Sequence, residues 1–427
     1  MNDVAAKDHV KSPERVFLNA MHTRGDEPVW LASLRDAGRT LFAEKGLPGR
    51  RVEAWKYSDL RRIVADADVS HAATAAPAPD IKDALSVRIA DGRVLETPKS
   101  LPAGLSLLPL RDELLRAPEV LAQNLGRIHP QADHAVAGLN MALWEDGLVV
   151  RVAANARIEA PLHVAFDWSG ESRHMRLLVL LEPNASLTLI EHHAGEAGGP
   201  LSSLVSELRL APGARLAHLR VEALGTGVRQ STLMLGEIAR DASFEGASVS
   251  RGAGFARRET RLRLDGSGAS ARLNGVQLVG AGRHTDDTVV ITHAAPHCMS
   301  RQAYRSVAED RARGVMQGRV EVGVGAAGTD ARQGIKGLLL GSRAEIDAKP
   351  ELEILADDVV CAHGTAIGEL DAAALFYLRA RGIPENEARA LLIEAFLEAA
   401  FDDVADVRLK ALAEAAVRGE TAEEPAP

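Results

Sequence analysis

The chain has 427 residues, of which 46% are hydrophobic, 26% charged and only 4% aromatic, and its formal net charge is −9. These values exclude a wholly disordered chain and disfavour nucleic-acid binding, which requires a basic surface. Two cysteines cannot build a disulfide framework, there is no apolar run of about 20 residues for a membrane helix, and the start has no apolar signal core, so we expect a cytoplasmic protein without a membrane partner.

The first region, residues 1–135, is predicted to be helical or mixed. Apolar residues from Trp30 to Phe42 recur at helical spacing, and Gly46 followed by Pro48 ends that helix. A second apolar helix candidate runs from Arg111 to Leu125. Between them, the Ala- and Pro-rich residues 71–79 predict a loop or linker.

The second region, residues 136–370, consists of short runs in which apolar and polar residues alternate, which predicts strands with one buried face. A turn residue, an alanine and the start of a strand recur at intervals of 29, 29, 28 and 27 residues. The copies begin at Asn155, Asn184, Gly213, Asp241 and Gly268. All three residue types tolerate the left-handed backbone of a tight corner.

A near-constant period predicts stacked coils, each pairing its backbone with the next. We therefore predict a mainly β fold with a β-helix-like solenoid over about residues 140–370, whose narrow core explains the scarcity of aromatic residues. A chance recurrence of Ala-containing turns in an Ala-rich chain is the alternative at this point.

The third region, residues 371–427, returns to helix and ends in an acidic tail from Thr421 that we expect to be disordered. Asp371 is placed to cap one helix and Pro384 to open the next. A further helix is predicted from Val404 to Val417. These helices either cover an end of the solenoid or offer a docking surface to a partner, and their apolar faces do not decide between the two.

Motifs for common enzyme chemistry are missing from the sequence: it has no Walker A, G-x-S-x-G, H-E-x-x-H or C-x-x-C pattern. A polar cluster contains His284 and Asp286, which would share a face of a strand. Both are residue types that bind metal ions, but residues of this kind are also common in turns. Cys361 and His363 would also project from one side of a strand. A thiolate and an imidazole suit zinc or iron, but two ligands do not complete a tetrahedral site, and a lone cysteine is usually a small buried apolar residue.

Several ordered motifs closely resemble the SufB/SufD family of iron–sulfur cluster assembly proteins. They are KPELEI at 349–354, ADDVVCAHG at 356–364, LFYLRARGI at 375–383 and DRARGVMQG at 310–318. The N-terminal segment with Gly46, Trp55 and Tyr57, the chain length and the few cysteines resemble the SufD branch of that family. Two positions depart from the family pattern: residues 334–337 read GIKG where asparagines are common, and Thr365 precedes Ala366 in the opposite order.

The resemblance implies a right-handed parallel β-helix flanked by helical regions, in a non-catalytic scaffold subunit. It implies pairing with a SufB-like paralogue, or a homodimer in isolation, and docking of a SufC-like ATPase through the C-terminal helices. The docking residues we assign there are Phe376, Tyr377, Leu391, Leu392 and Phe396. It also implies a cluster built transiently at the partner interface, with none tightly bound by the isolated chain, and it indicates His363 as candidate ligand with Cys361 beside it.

Two other functions are weighed against this one. A β-helix enzyme acting on polysaccharides would need clustered carboxylates and aromatic sugar platforms, and aromatic residues are scarce here. A transporter component would need membrane helices, and the sequence offers none.

Overall fold

The computed structural model describes residues 12–22, 25, 27–67, 81–128 and 134–420. The predicted linker at 71–79 and the acidic tail from Thr421 lie outside these residues. The helices are α1 (Arg15–Ala20), α2 (Val29–Lys45), α3 (Leu60–Ala65), α4 (Leu110–Arg116), α5 (Pro118–Asn124), α6 (Ala135–Leu143), α7 (Ala372–Ala380), α8 (Glu385–Glu398) and α9 (Val407–Arg418), with a 3₁₀ turn at Glu53–Trp55.

Strands account for the middle of the chain and follow one another with short corners. The strands are β1 (Leu85–Ala90), β2 (Arg93–Glu96), β3 (Leu105–Pro109), β4 (Asp146–Val152), β5 (Leu162–Asp167), β6 (His174–Leu181), β7 (Ser186–Ala197), β8 (Ser202–Leu210), β9 (Arg215–Gly227), β10 (Arg229–Ile238), β11 (Ser243–Gly252), β12 (Phe255–Leu264), β13 (Ser270–Val279), β14 (His284–His293), β15 (Met299–Ala308), β16 (Arg313–Val322), β17 (Thr329–Leu339), β18 (Glu345–Ile354) and β19 (Val359–Gly368).

Consecutive strands from β4 onward alternate between two sheets. One sheet has the order β19-β17-β15-β13-β11-β9-β7-β5-β1-β2, and the other has the order β18-β16-β14-β12-β10-β8-β6-β4-β3. We call them sheet A and sheet B. Neighbouring strands of the coils are parallel and in continuous register, as for β12 and β14, where Phe255 lies beside His284 and Leu264 beside His293. This is the predicted β-helix architecture.

The predicted corners have the left-handed backbone that the sequence repeat requires. Asn155, Asn184, Gly213, Asp241 and Gly268 all have positive φ angles, and the series continues at His297 and Gly328. Successive corners stack directly, since the Asn184 side-chain N–H donates to the Asn155 side-chain oxygen at 3.0 Å. The repeat is therefore structural, and the chance explanation is wrong.

The main core lies between the two sheets and is built chiefly from aliphatic side chains, including Leu177, Leu189, Leu208 and Ile291. Larger rings are few, as the composition predicts. Farther along the coil, charged groups also point inward: the Arg258 guanidinium bonds both carboxylate oxygens of Asp287 at 2.5 Å and also contacts Glu222. The interior is thus apolar at one end and polar in the middle.

The N-terminal region packs on sheet B and also contributes strands. Helix α2 matches the predicted helix and ends at Gly46, which has a φ of 65°. The single helix predicted from Arg111 to Leu125 is two helices, because Pro118 disfavours a helical backbone at Ala117 and α5 begins anew there. Strand β1 pairs with β5 and β3 pairs with β4, so both sheets include strands from before residue 136.

The C-terminal helices pack along the outer face of sheet A and leave its last strand uncovered. Leu397, Phe401 and Leu409 are buried in one cluster with Leu219 and Val249 of β9 and β11. Of the two arrangements that the sequence left open, an end cap is therefore not the one adopted. No helix in the described ranges is long and apolar enough to span a membrane.

Candidate site at the open end of the β-helix

The last coil of the β-helix, formed by β18 and β19, has an unpaired outer edge. Each of the two strands ends its sheet, with one neighbouring strand among the described residues. Apolar side chains are exposed there. They are Ile354, Leu355, Val360 and Ile367. Unpaired strand edges beside exposed apolar residues form a template on which a strand of another chain can pair.

Cys361 and His363 lie on β19 at positions that face the interior in earlier coils. Cys361 is in register with Ala331 and His363 with Gln333, and both of those partners are buried. Since no coil follows β19, His363 is exposed and Cys361 is half-buried. The prediction that the two side chains share one face of a strand is confirmed, at a separation of about 7 Å along the strand.

The electrostatics of this pair favour a neutral thiol. Burial raises the pKa of Cys361, and the nearby charge of Asp330 acts in the same direction. Metal binding by the thiol therefore requires loss of a proton that the free protein retains at neutral pH. Among the residues described here, no three His, Cys, Asp or Glu side chains are grouped to hold a metal ion, so this pair would need ligands from elsewhere.

The predicted docking residues of the C-terminal helices have different environments. Phe376 and Tyr377 of α7 are 74% and 57% exposed, and no residue of that helix is buried. The predicted cap is confirmed, because the Asp371 carboxylate accepts the Ala373 N–H at 2.8 Å. An exposed aromatic pair on an otherwise uncovered helix is typical of an interaction surface.

Helix α8 divides its apolar residues between solvent and sheet A. Leu391 is exposed, whereas Leu392 is half-buried. The Phe396 ring lies under the Arg305 guanidinium at 5.1 Å, and the Phe396 carbonyl accepts a hydrogen bond from Arg305 at 2.6 Å. Phe396 thus holds α8 on the sheet, while Leu391 is a further exposed apolar side chain of the C-terminal helices.

The polar cluster around His284 and Asp286 fastens the N-terminal region to sheet B. The two side chains share a face, as predicted, and both contact Ser58: its Oγ lies 3.0 Å from His284 Nε2 and donates to Asp286 Oδ2 at 2.5 Å. The Arg257 guanidinium also bonds Asp286 at 2.5 Å. The sequence signal for this contact is the segment around Trp55 and Tyr57, which places two aromatic residues together in a chain with few of them.

The fold and the site together define a parallel β-helix protein with helical flanks and an unpaired strand edge at one end. Family comparisons agree with this class. Residues 165–396 match the SufBD core domain of SUF system FeS cluster assembly, and residues 20–164 match the SufBD protein N-terminal region. The chain belongs to the SufBD family of iron–sulfur cluster assembly proteins.

Individual relatives cover most of the chain. The iron–sulfur cluster assembly protein SufD of Escherichia coli is 29% identical over 86% of this chain and 87% of its own length. SufD of Bacillus subtilis is 24% identical over 90% of this chain and 93% of its own. SufB of the same organism is 24% identical over 66% of this chain and 61% of its own. The recognition of the SufD branch from sequence agrees with these findings.

Proposed function

We propose that this chain is a non-catalytic scaffold subunit of a SUF assembly complex, in which its open end pairs with a SufB-like paralogue and its C-terminal helices dock a SufC-like ATPase. The observation that carries the proposal is the position of His363 and Cys361 on the last, unpaired strand. A partner strand added to β19 would bring its own side chains to this pair and supply the ligands that the pair lacks.

The cluster is the product of this assembly and a transient occupant of the interface. His363 is exposed and able to bind iron through a ring nitrogen, whereas Cys361 would act once deprotonated. In the isolated chain two side chains do not hold a cluster, so we expect no tightly bound cofactor there. The family match gives no support to the alternative hypothesis that this chain is a β-helix enzyme acting on polysaccharides.

ATPase docking is proposed at the surface formed by Phe376, Tyr377 and Leu391, with Leu392 and Phe396 holding the helix beneath it. Helix α8 connects this surface to sheet A through the contacts of Phe396 with Arg305. A movement of docked ATPase subunits would therefore reach a hydrogen-bonded, rigid β-helix and change access to the interface near His363.

The site is tested by replacing His363→Ala and measuring cluster yield in the intact complex with SufB-like and SufC-like subunits. Thr365→Ala, at the next position on the same face of β19, is the matched control. We expect a large loss of yield in the first variant and little change in the second, with both complexes intact by gel filtration. Unchanged yield in H363A would remove His363 from the mechanism.

Docking is tested with Phe376→Asp and Tyr377→Asp together, because a deletion after Ile383 would also strip α8 and α9 from sheet A. We expect the double variant to lose the ATPase and to keep the SufB-like subunit. Asn386→Asp, at an exposed position in the first turn of α8, serves as control. Full retention of the ATPase by the double variant would contradict docking at α7.

A further inference from the structure

A groove of about 340 Å³ lies in the N-terminal region, remote in sequence from the β19 site. It is bordered by β2, by α2 and α4, and by the segment that follows α6. The lining residues are Arg35, Arg93, Arg111, Leu114, Trp144 and Glu145, together with Glu27. A groove of this volume is in the range of small-molecule sites.

Two of the three guanidinium groups in this groove form no hydrogen bond or salt bridge with the described residues, although the charge of Arg111 acts on the Asp146 carboxylate. Arg35 is occupied, since its Nε bonds the Glu27 carboxylate at 2.8 Å and its Nη1 bonds backbone carbonyl oxygens. The side chains of Arg93 and Arg111 form no salt bridge or hydrogen bond with any residue in the described part of the chain. With Glu145 as the remaining carboxylate of the lining, the groove keeps an excess of positive charge.

One buried carboxylate fixes the places of the two free arginines. Asp146 is 4% exposed and accepts the backbone N–H of Arg111 at 3.2 Å. Burial raises the pKa of Asp146, while the backbone N–H groups of Gly147, Arg111 and Val94 and the charge of Arg111 act in the opposite direction. Asp146 therefore ties the strand that carries Arg93 to the first turn of the helix that carries Arg111, so the two side chains enter the groove from an ordered backbone.

Exposed apolar side chains beside the two arginines indicate an organic ligand. Leu95 shares a strand face with Arg93, and Leu115 shares a helix face with Arg111. Both leucines are exposed. Each free guanidinium is thus accompanied by an uncovered aliphatic side chain.

We propose that this groove binds a phosphate monoester whose phosphate lies between Arg93 and Arg111 and whose organic part covers Leu95 and Leu115. Two guanidinium forks can each engage two oxygens, which a phosphate supplies and a single carboxylate does not. The negative charge of Glu145 opposes binding and limits the affinity.

The test is titration calorimetry on the full chain with phenyl phosphate, which combines a dianion with a small apolar group. We expect saturable binding at one site, about tenfold weaker in the double variant Arg93→Gln with Arg111→Gln, since both charge-assisted contacts are lost. Arg116→Gln, on the exposed side of the same helix, should bind as the unchanged chain does. Glu145→Gln should bind more tightly.

Comparison ligands decide the chemical class. Inorganic phosphate and benzoate should both bind more weakly than phenyl phosphate, because each lacks one half of the proposed contacts. Equal binding of benzoate would overturn the assignment of a phosphate, and equal binding of inorganic phosphate would overturn the role of the leucines. A loss in R116Q as large as in the double variant, or no saturable binding of phenyl phosphate, would overturn the site.

Discussion

The guanidinium of Arg257 lies over the indole ring of Trp55, 4.1 Å from the ring centroid. Arg257 projects from the outer face of β12, and its side chain is fully buried by this contact and by Asp286. Two residues of the same N-terminal segment reach other strands: Ser58 contacts β14, and Glu53 pairs with Lys349 of β18 at 2.6 Å. We call residues 53–58 the clamp, because they join successive strands of sheet B.

Loss of the clamp's aromatic ring should destabilise the fold. Trp55→Ala removes a side chain that is 4% exposed and leaves the Arg257 charge under a cavity. We expect the free energy of unfolding to fall by about 3–5 kcal/mol, measured by urea denaturation. Lys56→Ala changes an exposed neighbour in the same segment and should change the free energy of unfolding by less than about 0.5 kcal/mol. Equal effects of the two changes would contradict the clamp.

Stability should decline as the pH falls below about 6.5, partly because of His284. Burial lowers the pKa of His284 to about 4, with Arg313 and Arg257 acting in the same direction against Asp286 and Asp347. Between pH 6.5, the pKa of His284 in the unfolded chain, and about pH 4, its pKa in the folded chain, the unfolded state binds one proton more than the folded state. The contribution of His284 to the free energy of unfolding is therefore full above pH 6.5 and is lost as the pH falls towards 4.

The slope of stability against pH measures this contribution. One such histidine adds about 1.4 kcal/mol per pH unit in that interval. His284→Gln should reduce the slope between pH 6.5 and 4 in urea unfolding experiments. A slope that stays the same in H284Q would show that His284 does not titrate as its burial implies.

The left-handed corners should accept glycine, asparagine and aspartate and resist residues such as alanine. Gly268 has a φ of 75°, and a Cβ added there would lie 2.4 Å from the Asp241 carboxylate oxygen. Gly268→Ala should therefore cost more than the roughly 1–2 kcal/mol of a left-handed alanine alone. Gly325→Ala, where a Cβ would meet nothing within 4 Å, is the control. Differential scanning calorimetry should separate the two, and similar melting temperatures would contradict the corner strain.

Removal of the interior cation should be among the most damaging single changes. Arg258→Leu would leave the buried Asp287 carboxylate without a cation and Glu222 with Arg220 alone. We expect a loss of about 3–5 kcal/mol in the free energy of unfolding. Arg263→Leu, which breaks an exposed pair with Asp265, should cost about 0–1 kcal/mol. If apolar replacement of Arg258 and Asp287 together, which leaves Glu222 paired with Arg220, fails to recover stability relative to R258L, the explanation by unpaired charge is wrong.

The sequence was sufficient to predict the coil but not the contacts between distant elements. Corner residues such as Asn184 and Asp241 act locally, so their backbone requirement is visible in the chain itself. Ser58 and His284 are 226 positions apart, and no local pattern announces their contact. The strand position of Cys361 and His363 followed from their spacing, whereas their exposure depends on which coil comes last.

Helix α8 illustrates a second kind of limit. Its apolar residues cover more than one face, so periodicity cannot choose which side packs on a neighbour. The structure buries Leu397 and exposes Leu391 because sheet A approaches from one direction only. The break at Ala117 was visible in principle, since Pro118 restricts the residue before it.

The stacked corners also constrain how chains of this architecture can change in length. Because Asn155 and Asn184 occupy equivalent places one turn apart, removal of the residues between them would delete a complete layer and rejoin matching backbone. An insertion of one residue inside a strand would instead exchange the inward and outward side chains between that point and the next corner. Length differences between members of the SufBD family should therefore occur as insertions or deletions of whole coils, or as longer loops at the corners.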